Sequence, residues 1–132
     1  MLYVDTSALL KRYIREPESE SCERVLLADP RWVTARHTLV EVQRNLSRLL
    51  TPRRLQTALA AFGRDWARTH VVELDATTCE RAAEVACLTG ARTFDALHLA
   101  AALRVGGPLV FLTYDLRQAV AARQLGLTVM GT

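Results

Sequence analysis

The chain has 132 residues, half of them hydrophobic and 23% charged, and a net charge of +3. This length fits one domain with a single core, and the composition excludes an intrinsically disordered chain. No run approaches the roughly 18 consecutive apolar residues of a membrane span, and we expect no secretory signal. Cys22, Cys79 and Cys87 match no CxxC or zinc spacing, which predicts buried free thiols and a cytoplasmic protein.

Short β-like runs alternate with longer helical runs along the whole chain. The predicted strands are residues 2–4, 32–35, 71–74, 109–113 and 127–130. The predicted helices are residues 7–14, 19–29, 38–50, 52–69, 76–90, 94–105 and 116–125. Strands separated by helices indicate a parallel sheet with helices on both faces. The sequence therefore predicts one α/β domain, residues 1–132.

Two acids follow predicted strands directly. Asp5 ends the first strand, and Asp115 comes one residue after LVFLT. Ligands of open parallel sheets bind beyond the carboxyl ends of the strands, where the winding reverses. Taken alone, each acid is most simply explained as the N-cap of the helix that follows it, because Asp is a favoured cap residue.

Two further acids lie early in helices. Glu41 fits a capping box with Thr38, and it also lies about 120° from the apolar stripe of its helix, so it either reaches a cleft or is solvated. Asp95 is in the first turn of the most apolar helix, where the helix dipole favours a carboxylate. His98 follows on the same side, and we expect it to pair with Asp95 or a backbone carbonyl rather than bind a ligand or act as a base.

The four acids together make a stronger pattern than any one of them. Carboxylates that share a site repel one another and have raised pKa values unless a cation neutralises them. Oxygen ligands select hard cations, Mg²⁺ or Mn²⁺. A metal held in this way can generate hydroxide and stabilise the leaving oxygen of a phosphodiester. The pattern therefore predicts a metal-dependent nuclease.

Four stretches of the chain match a known family in order and spacing: YVDTSALLKRY, TLVEVQRNL, TFDALHLAAA and FLTYD. They resemble PIN-domain proteins of the VapC toxin type over essentially the whole chain. The resemblance implies a three-layer α/β/α sandwich with strand order 3-2-1-4-5. It also implies a metal-dependent endoribonuclease, the toxin of a type II toxin–antitoxin system, which cuts RNA and so inhibits translation.

The resemblance also implies roles for individual residues and partners. The acidic quartet of the family corresponds to Asp5, Glu41, Asp95 and Asp115. Asp5 and Asp95 match the Mg²⁺ ligands, and the other two acids complete the pocket by holding a second ion or orienting water. Ser7 and Thr113 match hydroxyls that support these ligands. The implied partners are a structured RNA such as tRNA or rRNA, a VapB-like antitoxin and a second copy of the chain, with no membrane.

Five arginines near Glu41 are a candidate RNA surface, or alternatively a solvated helix face: Arg36, Arg44, Arg48, Arg53 and Arg54. A receiver-like phospho-acceptor domain is disfavoured, because it needs a pair of acids after the first strand and a lysine after the last. A non-catalytic PIN-like domain that binds RNA or a partner stays open. So does a structural domain in which the four acids only cap helices.

Overall fold

The computed structural model describes residues Met1–Thr132 and contains one five-stranded sheet. The strands are β1 (Leu2–Val4), β2 (Trp32–Ala35), β3 (His70–Val72), β4 (Val110–Leu112) and β5 (Thr128–Met130). All neighbouring strands are parallel, in the order β3-β2-β1-β4-β5. The strand order implied by the resemblance is confirmed.

Seven helices connect the strands. They are α1 (Thr6–Leu10), α2 (Ser19–Ala28), α3 (Thr38–Leu49), α4 (Pro52–Arg68), α5 (Ala76–Thr89), α6 (Thr93–Val105) and α7 (Leu116–Gln124). Most ends lie within two residues of the prediction, but α1 ends four residues early. The amides of Lys11, Arg12 and Tyr13 donate to carbonyls three residues back, so the chain tightens into a turn there.

The sheet is buried on both faces, which gives the predicted three-layer sandwich. Side chains alternate across a strand, so Tyr3 of β1 points into one core while Leu2 and Val4 point into the other. The first core is built mainly by α5, α6 and α7, and the second by α1 to α4. Burying one large side chain contributes about 1.5–3 kcal/mol. Each core contains such side chains, for example Phe111 in the first and Phe62 in the second, so both helical layers stabilise the sheet.

The winding of the chain reverses between β1 and β4, and this crevice positions the acids. From β1 the chain adds β2 and β3 on one side of the sheet and later returns to add β4 and β5 on the other. The backbone amide of Asp5 donates to the Leu112 carbonyl across the crevice at 3.2 Å. Asp5 and the residues after Leu112 are therefore held next to each other by the sheet itself.

One sequence prediction about the cysteines is wrong in part. All three thiols are free, but only Cys22 is buried. Cys79 and Cys87 are exposed on α5 because the buried face of that helix carries Ala82 and Val85 instead. Separately, none of the seven helices combines the length and apolar character that crossing a membrane requires.

Candidate active site

Asp5 is a buried carboxylate, 3% exposed, at the centre of the crevice. Its Oδ1 accepts hydrogen bonds from the Ala8 amide at 3.0 Å and the Ser7 hydroxyl at 2.7 Å, and its Oδ2 accepts from the Thr113 hydroxyl at 2.5 Å. The expected N-cap of α1 is confirmed. Burial raises the pKa of Asp5, and neither the opposing effect of His98 nor these hydrogen bonds cancel the rise.

The two hydroxyls link Asp5 to the end of β4. Ser7 Oγ lies 3.3 Å from Thr113 Oγ1 and accepts from the amide of Tyr114 at 2.9 Å. Thr113 Oγ1 accepts from the amide of Asp115 at 3.1 Å. The Asp115 carboxylate caps α7 by accepting from two amides of its first turn. Both hydroxyls therefore lie where they fix the orientation of Asp5.

Glu41 does not form the predicted capping box. His37 is the N-cap of α3 and makes no side-chain cap bond, and the Thr38 hydroxyl lies 2.8 Å from that of Thr34 instead. Glu41 Oε1 accepts from the Thr6 hydroxyl at 2.7 Å and lies 2.8 Å from His98 Nε2. Tertiary partners on other helices override the local capping pattern, so Glu41 reaches the cleft.

The prediction that His98 pairs with Asp95 or a backbone carbonyl is also wrong. Its Nε2 faces Glu41, and its Nδ1 lies 2.8 Å from the Tyr3 hydroxyl. Burial alone would raise the pKa of Glu41, but the bonds from His98 and Thr6 stabilise the carboxylate and lower the pKa below its ordinary value. Glu41 is therefore held ionised.

His37 is a site residue that the sequence interpretation missed. It is 8% exposed, its Nε2 lies 3.6 Å from Glu41 Oε1, and its ring centroid is 4.1 Å from that of His98. The signal in the sequence is the spacing of four residues between His37 and Glu41, which places both on one side of a helix end.

Asp95 is half-buried in the first turn of α6, and no hydrogen bond from the protein contributes to its ionisation. Burial raises its pKa, and the charge of Asp115 raises it further. Asp5 and Glu41 act in the same direction, while His98 opposes them. Asp95 therefore shares an electrostatic environment with the other three acids.

This arrangement fits a bound divalent cation. Two carboxyl groups, Asp5 and Asp95, have raised pKa values, and the charges of Asp5 and Asp115 act on Asp95. A cation would favour their ionised forms and remove the mutual repulsion. Carboxylate oxygens suit hard cations such as Mg²⁺ and Mn²⁺.

The predicted arginine surface is only partly available. Arg36 is paired with Glu73 and lies over the Trp66 ring, 5.7 Å from its centroid. The other four predicted arginines are exposed and take part in no ion pair: Arg44, Arg48, Arg53 and Arg54. Arg53 and Arg54 line a groove together with Arg15 and Leu49. The unpaired positive charge therefore lies on α3 and α4. Arg36 is not part of it, because its charge is paired with Glu73.

Comparison with known proteins agrees with this geometry. A family model described as the PIN domain matches residues 2–124. The chain belongs to the PIN domain family. Ribonuclease VapC46 of Mycobacterium tuberculosis is 34% identical, with 98% of this chain and 95% of the relative covered. Ribonuclease VapC35 of the same species is 36% identical, with 98% and 96% covered.

Several solved structures share the fold of this chain. FitAcB from Neisseria gonorrhoeae superimposes with a TM-score of 0.78 at 16% identity, covering 98% of this chain and 96% of that one. VapC20 of M. tuberculosis, described as a Sarcin-Ricin loop cleaving toxin, has a TM-score of 0.74 at 23% identity, covering 92% and 95%. DNA-bound VapBC from Salmonella typhimurium has a TM-score of 0.71 at 22% identity, covering 98% and 96%.

Proposed function

We propose that this PIN-domain chain is the ribonuclease toxin of a type II toxin–antitoxin pair, which hydrolyses RNA phosphodiester bonds and so inhibits translation. The family and the curated relatives named ribonucleases support a hydrolase that acts on RNA. The observation that carries the proposal is the buried Asp5 carboxylate, whose pKa is raised, at the switch point of the sheet. A nuclease of this kind needs a carboxylate fixed there before substrate arrives.

The proposed cofactor is Mg²⁺ or Mn²⁺, with Asp5 and Asp95 as its ligands. When bound, such a cation supplies Lewis acidity that polarises the scissile phosphate and activates water. Ser7 and Thr113 hold Asp5 through hydrogen bonds to its two oxygens. Asp115 completes the acidic pocket, and its charge keeps the Asp95 carboxyl prone to protonation until a cation binds.

Glu41 is proposed to orient the attacking water. Its Oε1 is occupied by Thr6 and His98, which leaves Oε2 without a protein partner. Because Glu41 is ionised, Oε2 can accept a hydrogen bond from water and so orient it. His98 and Thr6 hold the carboxylate through Oε1 and leave Oε2 available to water.

The proposed partners follow from the same comparisons and from the surface charge. Solved relatives include a toxin–antitoxin complex from Klebsiella pneumoniae and DNA-bound VapBC from S. typhimurium, which support a VapB-like antitoxin. Exposed Arg44, Arg48, Arg53 and Arg54 are proposed to contact the phosphates of a structured RNA, tRNA or rRNA. A homodimer in the cytoplasm completes the proposal.

The test is RNA cleavage by the purified chain, with total tRNA and ribosomal RNA as substrates and with Mg²⁺, Mn²⁺ or EDTA. Asp5→Asn and Asp95→Asn are expected to abolish metal-dependent cleavage while thermal melts show a folded protein. Asp75→Asn is the matched control, because Asp75 is an exposed acid that caps α5 away from the crevice. It is expected to cleave at the wild-type rate.

Two results would overturn the proposal. RNA binding without cleavage, unaffected by Mg²⁺, would assign the chain to the non-catalytic PIN-like domains. Neither cleavage nor metal binding in the wild type, together with a loss of about 1 kcal/mol of stability when a capping acid is replaced by alanine, would leave the acids as helix caps only.

A further inference from the structure

Beside the acidic pocket lies a second group of metal-ligating side chains, which includes both buried histidines of the chain. The group consists of His37, Glu41 and His98, and one ligand atom from each lies within 4.8 Å of the others. His37 Nε2 and His98 Nε2 are 3.6 Å and 2.8 Å from Glu41 Oε1. Metal–ligand bonds of about 2.0–2.2 Å require neighbouring ligand atoms to be about this far apart, so small side-chain shifts suffice.

His37 has a lone pair that no protein group uses. Its Nδ1 is buried and has no hydrogen-bond partner, and its Nε2 faces the Phe94 carbonyl at 3.1 Å. If Nε2 carries the proton, the lone pair on Nδ1 is unsatisfied. If Nδ1 carries the proton, the lone pair on Nε2 faces only the oxygens of the Phe94 carbonyl and of Glu41. Binding through Nε2, the nitrogen that faces Glu41, requires the second tautomer, in which a cation beside Nε2 would supply the partner that these oxygens cannot.

His37 therefore differs from an ordinary core histidine. It is buried, one of its ring nitrogens has no partner, and its other ring nitrogen lies 3.6 Å from Glu41 Oε1. These are the surroundings of a candidate metal ligand.

The rest of the surroundings supports a bound metal. When His98 binds a metal through Nε2, its imidazole proton lies on Nδ1. The Nδ1–H can then donate a hydrogen bond to the oxygen of the Tyr3 hydroxyl, 2.8 Å away. Ligating histidines commonly donate their second N–H to a group of this kind. The Glu41 side chain is 23% exposed, so an ion has a route into the group from the cleft.

We propose that His37, Glu41 and His98 form a transition-metal site for Zn²⁺ or Co²⁺, separate from the Mg²⁺ pocket. Two imidazole nitrogens and one carboxylate are a ligand set that zinc accepts, with a fourth position open. Imidazole nitrogen favours Zn²⁺ and Co²⁺, whereas Mg²⁺ prefers oxygen alone. The ligand chemistry therefore separates the two sites although they share one cleft.

Occupation of this site inhibits the nuclease, because the metal replaces the His98 hydrogen bond that holds the Glu41 carboxylate and draws its negative charge away from the oxygen that binds the attacking water. This consequence rests on the proposed function, whereas the binding of Zn²⁺ or Co²⁺ does not. An ion of this class would then act as an off-switch whose affinity depends on His37.

Titration with Co²⁺, followed by the visible absorption of the bound ion, tests the site without any RNA. The wild type is expected to bind one Co²⁺ that Zn²⁺ displaces and that excess Mg²⁺ does not. His37→Ala should weaken binding at least tenfold. His70→Ala is the matched control, since His70 is exposed on β3, and it should bind as the wild type does, as should Asp5→Asn. Melts of each variant report folding.

The site is refuted if the wild type shows no Co²⁺ absorption, if His37→Ala binds equally well, or if Asp5→Asn alone abolishes binding. The regulatory consequence is tested by the ratio of cleavage rates with and without Zn²⁺. The rate with Zn²⁺ should be at most one tenth of the rate without it in the wild type. In His37→Ala the two rates should be much closer to each other. Cleavage that Zn²⁺ leaves unchanged refutes the switch, whereas Co²⁺ binding without any cleavage refutes the nuclease and keeps the site.

Discussion

Removing the charge of Asp95 should make the metal-free protein more stable at neutral pH. Each unit by which burial and Asp115 raise the Asp95 pKa costs the folded state about 1.4 kcal/mol. Solvent screening of this half-buried group reduces that cost, and Asp95→Asn also loses about 0.5 kcal/mol of helix-dipole stabilisation. For each unit of the rise the net gain is therefore at most about 0.9 kcal/mol, which corresponds to about 3 °C in Tm for a chain of this size.

The difference in stability between the wild type and Asp95→Asn should depend on pH. Below the unfolded pKa of about 3.9, both states of the wild type are protonated and the two proteins should melt together. As the pH rises from the unfolded to the raised folded pKa, the wild type loses stability relative to the variant. Mg²⁺ should reverse the difference at pH 7, since only the wild type retains both proposed ligands.

Thermal melts of wild type and Asp95→Asn from pH 4 to pH 7, with and without Mg²⁺, check this. Asp75→Asn is the control, and its Tm should change in the opposite direction. Hydrogen bonds from Thr78 and Arg104 lower the Asp75 pKa to about 2, so the charge of Asp75 stabilises the folded state and its removal should lower the Tm. The reasoning is refuted if Asp95→Asn melts below the wild type at pH 7 without metal, or if the difference does not change with pH.

Three further predictions concern two supports of the site and one buried ion pair elsewhere in the fold. Ser7→Ala removes a hydrogen bond to Asp5, and metal affinity measured by calorimetry should fall about 10- to 100-fold. Gly131→Ala places a Cβ 2.0 Å from the Thr113 carbonyl at a φ of +106°; urea unfolding should show a loss of about 2 kcal/mol, together with weaker metal binding. Asp65→Asn leaves the Arg12 guanidinium without its buried carboxylate partner and should cost about 2 kcal/mol at pH 7. That difference should shrink as the pH falls through the lowered Asp65 pKa, and unchanged urea midpoints would contradict it.

Much of the fold could be predicted because local signals agree with it. Apolar runs marked the strands, and Asp75 and Gly90 marked the ends of α5, where the carboxylate bonds the Thr78 amide and the glycine adopts a φ of +73°. The strand order came only from the family resemblance. Periodicity shows that a segment is a strand but does not identify its neighbours.

The candidate site was predicted less completely, because its contacts cross between elements. Spacing along α6 paired His98 with Asp95, whereas the structure pairs it with Glu41 of α3 and with Tyr3 of β1. His37 lies just before the apolar stripe of α3 begins, and its partner Phe94 comes from α6. Such contacts exist only once the sheet brings the helices together.

The central claim is a divalent-cation site built by Asp5 and Asp95, and calorimetric titration with Mg²⁺ and Mn²⁺ tests it most directly. Wild type, Asp5→Asn, Asp95→Asn and the control Asp75→Asn would be compared at pH 7. The account predicts weak binding by the wild type and Asp75→Asn, and none by the other two folded variants. Equal binding by all four proteins, or no binding by the wild type, would contradict it.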